Sequence, residues 1–143
     1  MPKLRGSRSV IRERPYKHNG QRTAKMKRFL LVEDHALFRE GLALLLEWRT
    51  GLGSVQAGSL AEAERILTDT KDKPACAIVD LDLPDGDGIE LLEQLRGLPI
   101  LALTTGRNLE RRARALEVGA DEVLSTAESA ERIADVVGRL LDG

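Results

Sequence analysis

The chain has 143 residues, of which 42% are hydrophobic and 31% charged. This length and apolar content fit one ordinary globular domain and exclude a wholly disordered chain. No apolar run approaches the ~20 residues of a membrane helix, and the N-terminus lacks the apolar stretch of a secretory signal. One cysteine, Cys76, excludes an internal disulfide framework and a cysteine-based zinc site. We therefore expect a cytoplasmic protein without a membrane partner.

The charge is distributed unevenly along the chain. Residues 1–28 contain ten Lys or Arg and one acid, Glu13, whereas residues 29–143 contain twelve basic and 22 acidic residues. Residues 1–26 also lack an apolar period, so we predict a disordered basic extension there and a single folded domain over residues 27–143. Clustered arginine can neutralise phosphates of nucleic acid or an anionic membrane. The alternatives are that the extension is idle or that translation begins at Met26.

From Phe29 onward, short apolar runs alternate with helical patterns. Five strands are predicted, at residues 29–32, 55–58, 76–79, 100–103 and 123–124. A helix follows each strand. This alternation favours an α/β domain with a parallel sheet and helices on both faces.

Two of the predicted helices carry specific expectations. The fourth begins at Asn108, and its apolar face is predicted to contain Leu109, Ala113 and Leu116. Its arginines are predicted to point mostly outward: Arg111, Arg112 and Arg114. Before the fifth helix, Ser125 and Glu128 have the spacing of a capping box.

Acidic side chains follow the ends of two predicted strands. Glu33 and Asp34 come directly after the first strand, Asp80 ends the third, and Asp82 lies two residues further on. Thr104 ends the fourth strand. The carboxyl ends of parallel strands meet at one edge, where open α/β sheets bind ligands. Each acid alone is also typical of a turn or a helix cap.

A cluster of carboxylates needs compensation for its charge. Two carboxylates ~4 Å apart repel by about 4 kcal/mol at an effective dielectric constant near 20. Either some stay protonated or a cation lies among them. Oxygen ligands suit Mg²⁺, and a carboxylate beside Mg²⁺ can act as a nucleophile toward phosphorus.

Several motifs in order resemble the receiver domain of bacterial two-component response regulators. The segment "FLLVEDHALFREGLALLL" is similar to the first strand, acidic pair and first helix of receivers that usually carry a C-terminal helix-turn-helix. The segment "AIVDLDLPDGDGIELLEQLR" is similar to the phosphoacceptor strand, its loop and the third helix. "PILALTTG" and "ALEVGADEVL" follow at the family spacing. The resemblance covers about residues 27–141.

This resemblance implies a flavodoxin-like (βα)5 doubly wound fold with strand order 2-1-3-4-5. It implies that Asp80 accepts a phosphoryl group from a sensor histidine kinase or a phosphotransfer protein, with Mg²⁺ as cofactor. Asp80 and Asp34 would bind Mg²⁺ directly and Glu33 through water, and the backbone carbonyl of Asp82 would complete the protein ligands.

The resemblance also assigns the phosphoryl contacts. Thr104 would donate its hydroxyl to a phosphoryl oxygen, with the small Thr105 beside it. Two positions depart from the family, because Val123 stands where an aromatic residue is expected and Thr126 where a lysine is expected. Threonine offers a neutral hydrogen bond, which is weaker than a charge-assisted one. Arg107 is a hypothetical substitute for the missing charge.

Three functions are compatible with the sequence. The first is a phosphoaccepting receiver that signals by contact with an unknown output protein, since no DNA-binding domain follows on this chain. The second is a divergent receiver that binds a partner without phosphorylation, which the residues at 123 and 126 favour. The third is a haloacid-dehalogenase-like phosphatase, because "DLDLPDG" contains its Asp-x-Asp motif. That family needs a downstream lysine, and none follows Asp80. We therefore expect a signalling module and not an enzyme.

Overall fold

A computed structural model describes residues 10–12, 27–69 and 71–143. In this part of the chain, five parallel strands alternate with five helices, as the sequence predicts. The elements of this alternation are β1 Arg28–Val32, α1 Ala36–Thr50, β2 Gly53–Ala57, α2 Leu60–Asp69, β3 Cys76–Asp80, α3 Ile89–Gln94, β4 Ile100–Thr104, α4 Leu109–Val118, β5 Glu122–Ser125 and α5 Ala130–Asp142. Between β3 and α3, the short strands Asp82–Leu83 and Gly86–Asp87 form an antiparallel pair.

The parallel strands lie in the order β2-β1-β3-β4-β5. Leu30 of β1 pairs with Val55 on one side and with Ala77 on the other. Ala102 of β4 is in register with Val79 and with Val123. This is the order 2-1-3-4-5 implied by the resemblance, so the predicted flavodoxin-like topology is confirmed.

The N-terminal residues 10–12 add a sixth strand at the sheet edge. Val10–Arg12 runs antiparallel to β2, with Val10 opposite Gln56 and Arg12 opposite Ser54. The rest of the predicted disordered extension, residues 1–26, lies outside the described residues. At residues 10–12 the structure differs from that prediction. The physical reason is that β-branched Val10 and Ile11 favour extended backbone, and the edge of β2 offers unpaired N–H and C=O groups.

Helices cover both faces of the sheet. On one face, Leu30 and Val79 pack in a buried cluster that includes Leu60 of α2, Leu92 of α3 and Ala115 of α4. On the other, the strands contact α1 and α5. The buried residues there include Phe29, Leu31, Leu42, Leu46, Ile78, Ile133 and Val137. This doubly wound packing explains the continuous apolar strands. Within the described residues, no helix has the length and apolar character needed to cross a membrane.

The face of α4 that contacts the sheet differs from the prediction. Leu109 is 77% exposed and Leu116 is 50% exposed, whereas Ala115 and Val118 are buried. Arg111 lies on the same helical stripe as those two buried residues and is only partly exposed. An arginine can occupy this inner stripe because its guanidinium finds polar acceptors beyond the sheet edge, as described below.

The start of α5 also differs from the prediction, whereas the cap of α4 is confirmed. Asn108 is the N-cap of α4, and its side chain accepts a hydrogen bond from Arg111 N–H. The predicted capping box at residues 125–128 is wrong. The structure has Ser129 as the N-cap of α5, accepting from Arg132 N–H. Ser125 ends β5, and its hydroxyl oxygen instead accepts from Ala127 N–H in the turn.

Candidate metal centre

Three carboxylates lie together at the edge where the parallel strands end. Glu33 and Asp34 follow β1, and Asp80 is the last residue of β3. One carboxylate oxygen from each lies within 4.8 Å of the others. Glu33 and Asp80 are buried, at 4% and 5% exposure, whereas Asp34 is exposed. The topology therefore brings together three of the four acids that the sequence singled out, and the side chain of Asp82 is not among them.

The two buried carboxylates resist ionisation. Burial raises the pKa of Glu33 to about 7, and the charges of Asp80 and Asp34 act in the same direction. The backbone N–H of His35, 3.0 Å from Glu33 Oε2, opposes this shift. Burial likewise raises the pKa of Asp80, although the N–H of Asp82 donates to its Oδ1 at 2.9 Å. The neighbouring Asp80 carboxyl adds to the rise in the pKa of Glu33.

This donor set fits a small divalent cation. All three ligand groups are carboxylates close enough for one ion to bridge, and hard cations such as Mg²⁺ or Ca²⁺ prefer oxygen ligands. A cation there would favour the ionised carboxylates and offset their mutual repulsion. The exposed Asp34 leaves the cluster open to solvent, which an ion that keeps some of its waters requires.

A buried arginine supports the backbone at Glu33. Arg39 of α1 is 5% exposed. Its Nη1 donates to the carbonyl oxygen of Glu33 at 2.8 Å, and its Nε donates to Gln56 Oε1 at 3.0 Å. Arg39 is not among the site residues predicted from the sequence. A signal was available, since Arg39 lies three, four and seven residues before Leu42, Ala43 and Leu46, on the buried stripe of α1.

The side chain of Asp82 belongs to a different set of contacts. Its Oδ2 accepts from the Thr104 hydroxyl at 3.0 Å, and from the N–H and hydroxyl of Thr105 at 2.8 and 3.1 Å. Burial opposes ionisation of Asp82. The hydrogen bonds from Thr105 and Thr104 and the charge of Arg111 outweigh burial and hold its pKa below the ordinary value. The pKa of Asp82 is therefore shifted in the opposite direction to that of its neighbour Asp80.

Arg111 of α4 reaches across to the loop that follows β3. Its Nη2 lies 2.7 Å from the carbonyl oxygen of Leu81, 3.1 Å from Asp87 Oδ1 and 3.2 Å from Asp82 Oδ1. The side chain is 24% exposed. Sequence reasoning placed Arg111 outside. Its position four and seven residues before the buried Ala115 and Val118 was the signal for an inward side chain.

A close backbone approach fixes the same loop. Gly88 precedes α3, and its N–H donates to the carbonyl oxygen of Leu81 at 3.0 Å. A Cβ at this position would lie 2.6 Å from the carbonyl oxygen of Asp80 and 2.7 Å from Leu81 Cα. Only glycine lets the start of α3 pack this tightly against the end of β3.

The two divergent positions lie on β5 and directly after it. Val123 is 8% exposed and packs in the core cluster that contains Ala115. Thr126 follows the strand directly, and its N–H donates to the carbonyl oxygen of Thr104 at 3.1 Å. Arg107 is exposed, so the arginine that reaches the loop is Arg111.

Sequence comparisons match the folded part of the chain to known proteins. A family model described as the response regulator receiver domain matches residues 29–138. The transcriptional regulatory protein PmrA of Pectobacterium parmentieri is 36% identical over 102 residues, covering 68% of this chain and 45% of that protein. The KDP operon transcriptional regulatory protein KdpE of Escherichia coli is 36% identical over 103 residues, covering 70% and 44%. The chain thus spans about half the length of these relatives.

Comparison with solved structures agrees. A receiver domain protein from Methanospirillum hungatei superposes with a TM-score of 0.74 at 24% identity, covering 82% of this chain and 95% of that one, and supports the fold. A Burkholderia pseudomallei response regulator, solved with a phosphorylated aspartic acid, calcium ion and citrate, has a TM-score of 0.67 at 29% identity, covering 79% and 71%. Since the family model spans most of the chain, this protein belongs to the response regulator receiver domain family.

Proposed function

We propose that this protein is a phosphoryl-accepting receiver in which Asp80 is the nucleophile. The observation that carries the proposal is the carboxylate cluster, in which Asp80 ends β3 beside Glu33 and Asp34. Asp80 lies at the edge where the parallel strands end, and the exposed Asp34 leaves the cluster open to solvent, so that a phosphoryl donor can approach. The solved Burkholderia pseudomallei relative has a phosphorylated aspartic acid, which supports the same chemistry here.

The proposed reaction is a phosphoryl transfer from a phosphohistidine of a histidine kinase or a phosphotransfer protein. A carboxylate oxygen of Asp80 attacks phosphorus, the P–N bond breaks, and the electron pair returns to the imidazole nitrogen, which takes up a proton. Mg²⁺ held by Glu33, Asp34, Asp80 and the backbone carbonyl of Asp82 would supply charge neutralisation for the transferred group. Asp80 reacts as the carboxylate, and a cation bound in the cluster would favour that ionised form.

Hydrogen-bond donors for the phosphoryl oxygens come from the end of β4. We assign this role to the hydroxyl of Thr104 and to Thr105, which lie on the strand next to β3. Because Thr126 replaces the usual lysine, no side-chain ammonium contributes from the end of β5. The phosphoryl group would therefore be held by neutral donors in addition to the cation.

The signal would leave the domain through protein contact. Leu109 and Leu116 on α4 are large apolar side chains with 77% and 50% exposure, on the outer face of the helix. We propose that this face of α4, together with α5, contacts an output protein when phosphorylation shifts the balance between two surface arrangements.

A second candidate function is a phosphorylation-independent binding module. The observation that favours it is Thr126 in place of lysine, which removes a charge-assisted contact to the phosphoryl group. In that case, the acidic cluster would hold a cation and the outer face of α4 would bind its partner constitutively.

One experiment separates the two functions. The full chain is incubated with Mg²⁺ and a small phosphodonor such as acetyl phosphate, and its intact mass is followed over time. The phosphoacceptor proposal expects a mass gain of one phosphoryl group that is base-labile and is lost in Asp80→Asn. Either no gain, or a gain that persists in Asp80→Asn, would refute it and favour the binding module.

A further inference from the structure

Three hydrogen-bond donors converge on one oxygen of Asp82. Asp82 Oδ2 accepts from Thr104 Oγ1 at 3.0 Å, from Thr105 N–H at 2.8 Å and from Thr105 Oγ1 at 3.1 Å. A carboxylate oxygen with three donors is fully hydrogen-bonded. The arrangement is that of an oxyanion site already filled by a side chain of the same protein.

These donors are also the ones that the proposed function assigns to the phosphoryl group. A hydroxyl and a backbone N–H each have one proton, so neither can donate fully to Asp82 and to a phosphoryl oxygen on Asp80 at once. Asp82 must therefore give up hydrogen bonds before the phosphoryl group can gain them.

Further contacts hold Asp82 in this position. Arg111 Nη2 lies 3.2 Å from Asp82 Oδ1, on the carboxylate oxygen that the threonines do not use. The guanidinium is itself anchored at the carbonyl oxygen of Leu81, 2.7 Å away, and at Asp87 Oδ1, 3.1 Å away. Both oxygens of the Asp82 carboxylate therefore have partners: Oδ2 contacts Thr104 and Thr105, and Oδ1 contacts Arg111 of α4.

We propose that the Asp82 carboxylate is an internal substitute for the phosphoryl oxyanion and slows phosphoryl acceptance at Asp80, with Arg111 as the residue that positions it. The inference rests on the proposed function of Asp80. Phosphorylation would require Thr104 and Thr105 to exchange one anionic acceptor for another. The released carboxylate would remain paired with Arg111, so the exchange would also change the contact between α4 and the loop after β3.

The test compares phosphorylation rates of the full-length wild type, Asp82→Asn and Asp82→Ala with Mg²⁺ and acetyl phosphate, followed by intact mass. Asp82→Ala removes the competitor, and we expect its rate to rise about tenfold, the effect of losing one charge-assisted hydrogen bond. Asp82→Asn keeps an oxygen acceptor without the charge, so its rate should lie between the other two. Equal rates for the Asn and Ala variants would assign the effect to charge alone and overturn the proposal, as would an Ala rate no faster than wild type.

Arg111→Gln and Arg114→Gln form a matched pair on α4. Arg114 is exposed, so its variant should phosphorylate at the wild-type rate. Arg111→Gln loosens Asp82 and should be about threefold faster. Equal rates for the two would remove Arg111 from the proposal.

The amide proton of Thr105 gives a readout independent of phosphorylation. Its hydrogen bond to a carboxylate at 2.8 Å should place the NMR signal downfield in the wild type and upfield in Asp82→Ala. An unchanged signal in the folded variant would contradict the contact itself. If no adduct forms on the wild type or on any variant, the proposed function fails as well. If the wild type is phosphorylated but Asp82→Ala is not faster, only this inference fails.

Discussion

Asp80 and Asp82 are two residues apart, yet their surroundings shift the pKa of the two carboxyls in opposite directions. Asp80 is buried beside Glu33 and Asp34, and burial raises its pKa. Asp82 receives hydrogen bonds from two threonines and lies beside Arg111, and its pKa is lowered despite partial burial. The side chains of the Asp80 cluster are all carboxylates, whereas the charge of Asp82 is compensated by Arg111 and by the threonine donors. Of the two, only the cluster of Glu33, Asp34 and Asp80 would be stabilised by binding a cation.

The largest expected effect is therefore stabilisation by a divalent cation. At a Mg²⁺ concentration 100-fold above its dissociation constant, the wild type should gain about 2.7 kcal/mol in the free energy of unfolding. Asp34→Asn should lose most of this gain at the same concentration, because it removes one ligand charge. Thermal unfolding with MgCl2 and with EDTA measures the difference.

Asp87→Asn is the matched control for the cation experiment. It also removes one acid, but from the cluster that Arg111 compensates. It should keep the Mg²⁺ response of the wild type. If Mg²⁺ stabilised Asp34→Asn and Asp87→Asn equally, or did not stabilise the wild type, the two acidic clusters would not differ in cation binding.

The next effect is a pH dependence that originates in Glu33. Burial raises its pKa from 4.5 to about 7, so the folded protein binds more protons than the unfolded chain between these values. The stabilising contribution is fully present below pH 4.5 and is lost as the pH rises through 7, on the order of 2 kcal/mol. Urea unfolding in EDTA across this range should show the decline in the wild type.

Glu33→Gln checks the source of this pH dependence. The variant cannot ionise at residue 33, so its stability should fall less between pH 4.5 and 7 than that of the wild type. Saturating Mg²⁺ should also flatten the wild-type profile, because the cation favours the ionised cluster. A variant that retains the full wild-type slope would show that Glu33 is not the group responsible.

Neutralising the two neighbouring aspartates should change stability in opposite directions. At pH 8 without cation, Asp80→Asn relieves repulsion in a buried cluster and should stabilise the fold by on the order of 1 kcal/mol. Asp82→Asn weakens bonds from Thr104 and Thr105 and should destabilise it by about 1 kcal/mol. Urea unfolding of both variants in one buffer gives the two signs. If both substitutions raised, or both lowered, the free energy of unfolding, the proposed contrast between Asp80 and Asp82 would be wrong.

The residue pattern was sufficient to predict the parallel sheet with helices on both faces and the meeting of the acids at one edge. The alternation of buried strands with helices dictates a doubly wound sheet, and residues at the ends of parallel strands then share one edge. Glu33, Asp34 and Asp80 follow from this without any detail of side-chain packing. The resemblance to receivers supplied the order of the strands and the roles expected of each acid.

The contacts of Arg39 and Arg111 could not be predicted in the same way. Both lie on buried helical stripes, where an arginine is tolerated only if distant acceptors satisfy it. Those acceptors are backbone and carboxylate oxygens from other elements, so their positions depend on the finished fold. The face of α4 was misassigned for the same reason. A stripe with Leu109 and Leu116 is more apolar than one with Arg111, but the smaller Ala115 and Val118 pack against the sheet.

The smallest predicted effect concerns a third acid of the same loop, which is compensated by a helix terminus. Asp85 is exposed and accepts from the N–H groups of Leu60 and Ala61, at 2.9 and 3.0 Å, at the start of α2. These bonds lower its pKa. Asp85→Ala should cost about 0.5 kcal/mol, at the low end for a helix cap because the site is exposed to solvent. Asp85→Asn keeps an acceptor and should cost less, and urea unfolding would detect the order. If Asp85→Ala instead stabilised the protein as Asp80→Asn is expected to do, the acids of this loop would be uncompensated as a group, and the contrast between Asp80 and Asp82 would lose its basis.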